Sequence, residues 1–268
     1  MRKLIVIATC LILSATGIMA QQTQGKVIYE RASQMQFSFA GMPGGMEQQV
    51  PKTRVDKFEL SFGNNQSLWK QAEKENTDDD GTFTSGGAQI RMVVAGNDDV
   101  LFNNFDTKKK VEKRELFGKT FIIDDTLSIL KWKMTGETKT ILDMPCMKAT
   151  SERISKRTQV NMDNGKMERK EIEDTSTIVA WFTSSIPVSA GPAEFQGQLP
   201  GLILEMDIKD GTQTFKAVSI KKETELDDIK EPKGKKRYTA AEFKVEREKM
   251  MEEMNKNNQG GNRVIRMN

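Results

Sequence analysis

Histidine is absent from this 268-residue chain, and cysteine and tyrosine occur only twice each. Without an imidazole, Ser-His-Asp and Cys-His catalytic arrangements, histidine metal ligands and a histidine pH switch are all excluded. Of the two cysteines, Cys10 falls in the N-terminal apolar stretch, so Cys146 has no intramolecular disulfide partner once that stretch is removed. It reads as a small buried hydrophobe on a strand. Charge of one sign is lacking too: 41 basic side chains face 38 acidic ones. That balance argues against nucleic acid as a partner, since such binding rests on clustered positive charge. No Gly-rich phosphate loop follows a strand, and strands do not alternate with helices, which argues against a nucleotide-binding α/β fold. Beyond the N-terminus no apolar run approaches the roughly 18 residues of a membrane helix.

The N-terminus itself reads as an export signal. Met1-Arg2-Lys3 is the positive region, Leu4 to Leu13 the apolar region, and Ile18-Met19-Ala20 places a small residue before Gln21. Cys10 has further apolar residues after it and stands too early for a lipid-attachment cysteine. Cleavage after Ala20 leaves 39 basic and 38 acidic side chains, on a chain long enough to bury about 70% of its unfolded surface in one core.

Strand follows strand along the mature chain. Lys26 to Phe39 opens it. Phe58–Phe62 and Ser67–Gln71 form a hairpin across Gly63 to Gln66, and Ile90–Val94 and Val100–Phe105 flank Gly96 to Asp99. Ala149 to Met162 and Lys166 to Phe182 are joined by Asp163-Asn164-Gly165, a type I′ signal. Leu202, Leu204, Met206 and Ile208 alternate with Ile203, Glu205, Asp207 and Lys209, the period of a strand with one buried face. Asp210-Gly211 turns it into Thr214 to Ile220. In Leu199-Pro200-Gly201, Pro200 presets φ and Gly201 is expected at the positive φ of a type II turn. Near the end, Thr239 and Glu242 make a capping box and Tyr238 and Phe243 a hydrophobic staple. A helix is expected to run to about Asn255 with Phe243, Arg247, Met250 and Met254 on one face. Lys230, Lys233, Lys235, Lys236 and Arg237 form a basic linker before it, read as solvated surface.

Two metal patterns are weak. Asn76, Asp78, Asp80 and Gly81 match the start of a calcium loop, but Gly87 stands where a bidentate Glu is required. The soft sets Met42 with Met46, Met144 with Cys146 and Met147, and Met250 with Met254 suit Cu(I), yet lie far apart and serve equally as packing residues. No metal or cofactor is expected.

Ala180-Trp181-Phe182-Thr183-Ser184-Ser185-Ile186-Pro187, Gly191-Pro192 and Leu199-Pro200-Gly201-Leu202-Ile203-Leu204-Glu205 together resemble the signature of the GLPGLI family. So do upstream blocks at Glu115–Ile123, Leu130–Met134, Glu137–Ile141 and Cys146–Ala149, and Tyr238–Phe243 downstream. The likeness covers roughly residues 110 to 245. The hexapeptide's first glycine is Gln198 here, with Gly197 one place earlier, and the stretch to Leu199 is one residue longer. The resemblance implies an exported bacterial envelope protein with no assigned activity.

The expected fold is all-β to α+β, a largely antiparallel curved sheet or partly open barrel with one C-terminal helix. Residues 1–20 are the signal peptide, 21–230 the β domain, and 231–268 the basic linker, helix and tail. The expected role is a non-catalytic binding or accessory module of the periplasm or envelope, taking an apolar ligand or an envelope protein. Its binding rim would be formed by Trp181, Phe182, Pro187, Gly191, Pro192, Phe195, Leu199, Pro200, Gly201, Leu202 and Ile203, with core filling as the alternative role of the aromatics. A carboxylate-based envelope hydrolase and a structural partner of an outer-membrane complex are the competing readings; no catalytic residue stands out.

Mass spectrometry of the protein recovered from envelope fractions is expected to show Gln21 as the first residue, free or cyclised. An intact Met1 or a lipidated Cys10 would refute the export assignment.

Overall fold

A computed structural model of the chain describes residues 22–34, 53–73, 82–85, 88–91, 99–163 and 166–259. The expected signal at 1–20, Met42 and Met46, most of the calcium-like loop, and the Asn164-Gly165 turn lie outside the described residues. Among the described residues fourteen strands are formed: β1 (Gly25–Gln34), β2 (Thr53–Gly63), β3 (Gln66–Gln71), β4 (Thr82–Ser85), β5 (Ala88–Arg91), β6 (Val100–Asn104), β7 (Lys109–Leu116), β8 (Lys119–Thr126), β9 (Lys133–Ile141), β10 (Met144–Asp163), β11 (Lys166–Thr183), β12 (Leu202–Ile208), β13 (Gln213–Lys221) and β14 (Arg237–Thr239), followed by the helix α1 (Ala240–Gln259). Twelve of them make one open sheet in the order β14-β8-β7-β6-β3-β2-β1-β13-β12-β11-β10-β9. Every pairing is antiparallel except β14 on β8. β4 and β5 pair with each other apart from it, so the run at Ile90 is not a partner of β6.

The expected curved, antiparallel sheet with one C-terminal helix is what the chain forms. Its curvature follows from chain length. β8 and β9 stand ten strand spacings apart in the sheet, about 48 Å if flat. Only residues 127–132 join them, and seven residue steps reach at most about 25 Å. The sheet therefore rolls until its two wings approach. The wings are joined at β1, which pairs β2 on one side and β13 on the other.

Type I′ geometry closes several hairpins. Asn64 and Asn65 take φ of 51° and 54° between β2 and β3, and Leu142 and Asp143 take 47° and 60° between β9 and β10. Lys209, Asp210 and Gly211 all have positive φ at the turn from β12 to β13.

One face of the sheet carries the main core. Val27, Tyr29, Leu60, Phe62, Ala149, Ile178, Ala180, Met206 and Phe215 are all buried there. The register carries the same face across the other wing through Trp69, Leu101, Glu112 and Ile123. There α1 covers Phe121 and Ile123 with Phe243 and Met250. The opposite face of that wing, Phe102, Val111 and Ile122, is covered by Ile229 and Leu226. The helix begins at its capping box as expected: the Thr239 amide donates to Glu242 Oε2 at 2.8 Å and the Glu242 amide to Thr239 Oγ1 at 3.2 Å. Tyr238 and Phe243 both meet Phe121 edge-on, at 5.3 and 5.2 Å between centroids. The helix runs past Asn255 to Gln259. Among the described residues no helix is long and apolar enough to cross a membrane.

Two expectations fail at β12. Strict alternation does not hold, because Leu202, Ile203 and Leu204 are all buried. The register between β11 and β12 slips between Trp181 and Phe182, and an extra residue on one strand breaks the two-residue period. Nor does Gly201 adopt positive φ. Its amide donates to Leu199 O at 2.8 Å, a γ-turn centred on Pro200, where a type II turn was expected. Glycine is needed for proximity: a Cβ at Gly201 would lie 2.2 Å from Thr183 O and 2.9 Å from its carbon.

Gly201→Ala is therefore expected to destabilise the fold by about 2 kcal/mol, the scale of an overpacked core site. Urea unfolding measures this, and an unchanged midpoint would show that β12 does not need to press on Thr183.

Candidate functional site

From Ser184 to Gly201 the chain leaves the sheet and folds over the core face. Its backbone is organised by short-range bonds. The Val188 amide donates to Ile186 O at 2.8 Å and the Ala190 amide to Val188 O at 2.7 Å, γ-turns centred on Pro187 and Ser189. Proline suits such a centre because its φ is fixed near the required value and it has no N–H to satisfy. The ends are drawn together by Ser189 Oγ donating to Leu199 O at 2.8 Å and the Gly197 amide to Ser189 O at 2.7 Å. The amides of Leu202 and Ile203 donate to Ile186 O and Ala190 O, which seats the loop beside the start of β12.

Most of the signature residues converge in the interior. Phe182, Phe195, Leu199, Leu202 and Ile203 are buried in the main core, as are Gly191, Pro192 and Gly201. A Cβ at Gly191 would stand 2.8 Å from Ile203 Cδ1. Pro187 and Pro200 are exposed. Trp181 is half-buried and packs against the margin of the same core. Lys139 Nζ lies 4.3 Å from its ring centroid and Lys148 Nζ 5.8 Å. The signature thus fills the roll, with a polar anchor inside it. Gln196, fully buried, accepts from Ser67 Oγ and donates through Nε2 to Ala193 O at 2.9 Å. Gln198 clamps the connection between β8 and β9. Its Oε1 accepts from the Leu130 amide at 2.9 Å and from Trp132 Nε1 at 3.2 Å, and its Nε2 donates to Ser128 O.

Beside this loop, on the same face, opens a cleft of about 220 Å³. Its floor is a stack. The Phe58 and Trp69 rings lie 5.0 Å apart at 7°, and the Arg31 guanidinium sits 4.5 Å above Phe58. Arg31 Nη2 donates to Asp56 Oδ2 at 2.9 Å, while Arg54 donates to Asp56 Oδ1 through Nε at 2.9 Å and Nη2 at 2.6 Å. On the far side Arg114 Nε donates to Glu112 Oε2 at 2.6 Å, and Lys110 pairs with the same carboxylate at 3.2 Å. Arg114 lies 6.0 Å from the Phe243 ring, which makes α1 the neighbour on that side. The loop supplies the remaining wall with Glu194, held by Arg153 at 3.0 Å, and with Ala193, a non-glycine residue at φ 48°. Backbone strain of that kind gathers at functional segments.

None of the cleft residues of β1, β2, β6 and β7 was singled out from the sequence. A signal was present in β2, where Arg54 and Asp56 occupy the same strand phase as Phe58, Leu60 and Phe62. Charged residues in the buried phase of a strand mark a place where the apolar face gives way to a polar site.

The soft-ligand set around Cys146 is engaged in packing. The thiol is buried in the main core and donates to Met144 O at 3.5 Å, whereas Met147 is exposed. Burial pushes the Cys146 thiol above its ordinary value, which lowers its reactivity. Among the described residues no three Cys, Asp or Glu side chains gather in a way that would hold a metal ion.

A family model described as a protein of unknown function (Porph_ging) matches residues 132–205, a stretch that contains the whole signature loop. No curated protein matches the chain. Among solved structures, the chain is similar to one entitled "Structure of PNGF-II in C2 space group", with 21% identity and a TM-score of 0.47 over 81% of this chain and 31% of that one. This chain thus spans less than a third of that structure's length.

Burial also raises the Tyr29 hydroxyl, whose proton is donated to Ile203 O. Cys146 and Tyr29 both release protons more readily unfolded, near pH 8.5 and 10, than folded. Their contribution to stability is complete below about pH 8 and is lost as pH rises, because the unfolded chain then binds fewer protons than the native one. Urea midpoints are expected to fall between pH 7.5 and pH 10, and to fall less in Cys146→Ala. A midpoint independent of pH would show that these groups are not desolvated.

Proposed function

We propose that this chain is an exported, non-catalytic binding module of the bacterial cell envelope, of the GLPGLI type, with the signature loop as its internal scaffold and the adjoining cleft as its site. The observation that carries this reading is the filled interior. A carrier for a lipid or a large apolar molecule needs a hollow roll, and residues 184–201 occupy that space with Phe195, Leu199 and their neighbours. Recognition then belongs at the surface, where the loop meets the sheet. The export pattern of residues 1–20 and the signature from Trp181 to Leu204 support the envelope setting.

The carboxylates of the cleft favour binding over hydrolysis. A carboxylate-based hydrolase works with one protonated acid and one free carboxylate across the reacting bond. Here Asp56, Glu112 and Glu194 are each engaged by at least one cation, and Asp99 accepts the Glu115 amide at 2.9 Å. Groups held in this way are suited to shaping a site and fixing the side chains around it.

The mature protein purified from its native envelope is expected to carry a ligand or partner, identified by mass spectrometry after solvent extraction or crosslinking. Arg114→Ala is expected to lose that load while keeping its thermal midpoint, and Phe195→Ala to lose about 3–5 kcal/mol of stability as a core truncation. An empty wild-type protein overturns the reading. So does turnover of envelope polymers that Glu112→Gln abolishes.

A further inference from the structure

The geometry points to a small organic monocarboxylate as the ligand of the cleft, bound through the guanidinium groups of Arg31 and Arg114 against the Phe58 and Trp69 rings. This rests on the binding-module reading above and names its ligand class. The argument is an account of donors and acceptors. The acceptors are taken: Asp56 receives Arg31 and Arg54, Glu112 receives Lys110 and Arg114, Glu194 receives Arg153, and Asp99 receives a backbone amide. The donors are in surplus. A guanidinium offers five N–H groups, and among the described residues Arg114 bonds only Glu112, through Nε. Arg31 Nε–H is buried and meets no acceptor among the described residues. That Nε–H is shut off from the cleft, so the donors left to meet a ligand are Arg31 Nη1 and both Nη groups of Arg114, which bond no acceptor among the described residues.

Three features narrow its chemistry. The planar fork of a guanidinium matches a carboxylate in two parallel bonds. The lining charges balance, four basic against four acidic, so the walls carry no net positive field to offset the desolvation of a dianion such as phosphate, which costs more than that of a single negative charge. The Phe58, Trp69 and Leu101 side of the cleft is apolar and gives a hydrocarbon body a place to lie. The volume of about 220 Å³ lies below the range of about 300–1,000 Å³ typical of drug-sized ligand pockets, which favours a small acid.

Phenylacetate, its neutral isostere phenylacetamide, and inorganic phosphate separate these features. In the purified mature protein, labelled at arginine, the Nε–H resonance of Arg31 is assigned by its loss in Arg31→Lys. Phenylacetate is expected to shift that resonance saturably, with phenylacetamide and phosphate at least about tenfold weaker. Arg114→Gln is expected to weaken phenylacetate about tenfold without moving the thermal midpoint. Equal binding of the amide, tighter binding of phosphate, or no saturable shift overturns the carboxylate assignment. The binding-module reading falls separately, if the protein from its native envelope carries nothing or turns over envelope polymers through Glu112.

Discussion

Six residues between β8 and β9 set the shape of this protein. The sheet order puts those strands at opposite ends of a wide array, and the chain between them cannot cross a flat sheet. Rolling creates an inner face that must be filled, because a void inside a packed core forfeits the contacts of every side chain that lines it. The signature loop supplies the filling and holds the constraint in place. Gln198 grips the connection at Ser128, Leu130 and Trp132, while Ser151 Oγ donates to Lys131 O at 2.9 Å from the adjoining strand.

The filled roll has two consequences for function. The apolar residues of the signature, which look from their composition like contact surface, are mostly withdrawn from solvent. The polar chemistry appears instead at the margin, where the core face runs out under Ala193 and Glu194 before α1 takes over the cover of Phe121 and Ile123. A charged band between two apolar pads is expensive unless every group finds a partner. The double grip of Arg31 and Arg54 pairs Asp56 on one side, where the buried Arg31 Nε–H meets no acceptor among the described residues, and the Lys110–Glu112–Arg114 set pairs Glu112 on the other.

Local features were legible wherever a few adjacent residues determine the backbone. The capping box at Thr239 and Glu242 starts α1 because its two hydrogen bonds close within four residues. Asn64 and Asn65 turn the β2–β3 hairpin because asparagine tolerates left-handed φ. Leu199-Pro200-Gly201 was legible as a turn but not as the correct one. Proline and glycine permit several turns, and the choice was made by the carbonyl of Thr183 pressing on Gly201. The alternation of β12 misled for a similar reason, since a slip of register against β11 cannot be seen within β12 alone.

The sequence by itself determined the strand-rich class, the single helix and its start, the turns made by asparagine and glycine, and the exclusion of histidine chemistry. These depend on dihedral preference, two-residue periodicity and composition, which are properties of neighbouring residues. Tertiary structure alone decided that the signature fills the roll, that Trp181 stays half-exposed while Phe182 and Phe195 are buried, and that Arg31, Asp56, Glu112, Arg114 and Glu194 border one cleft. Those residues come from β1, β2, β7 and a loop after β11, and only the order and register of the rolled sheet bring them together, through pairings whose partners lie far apart along the chain.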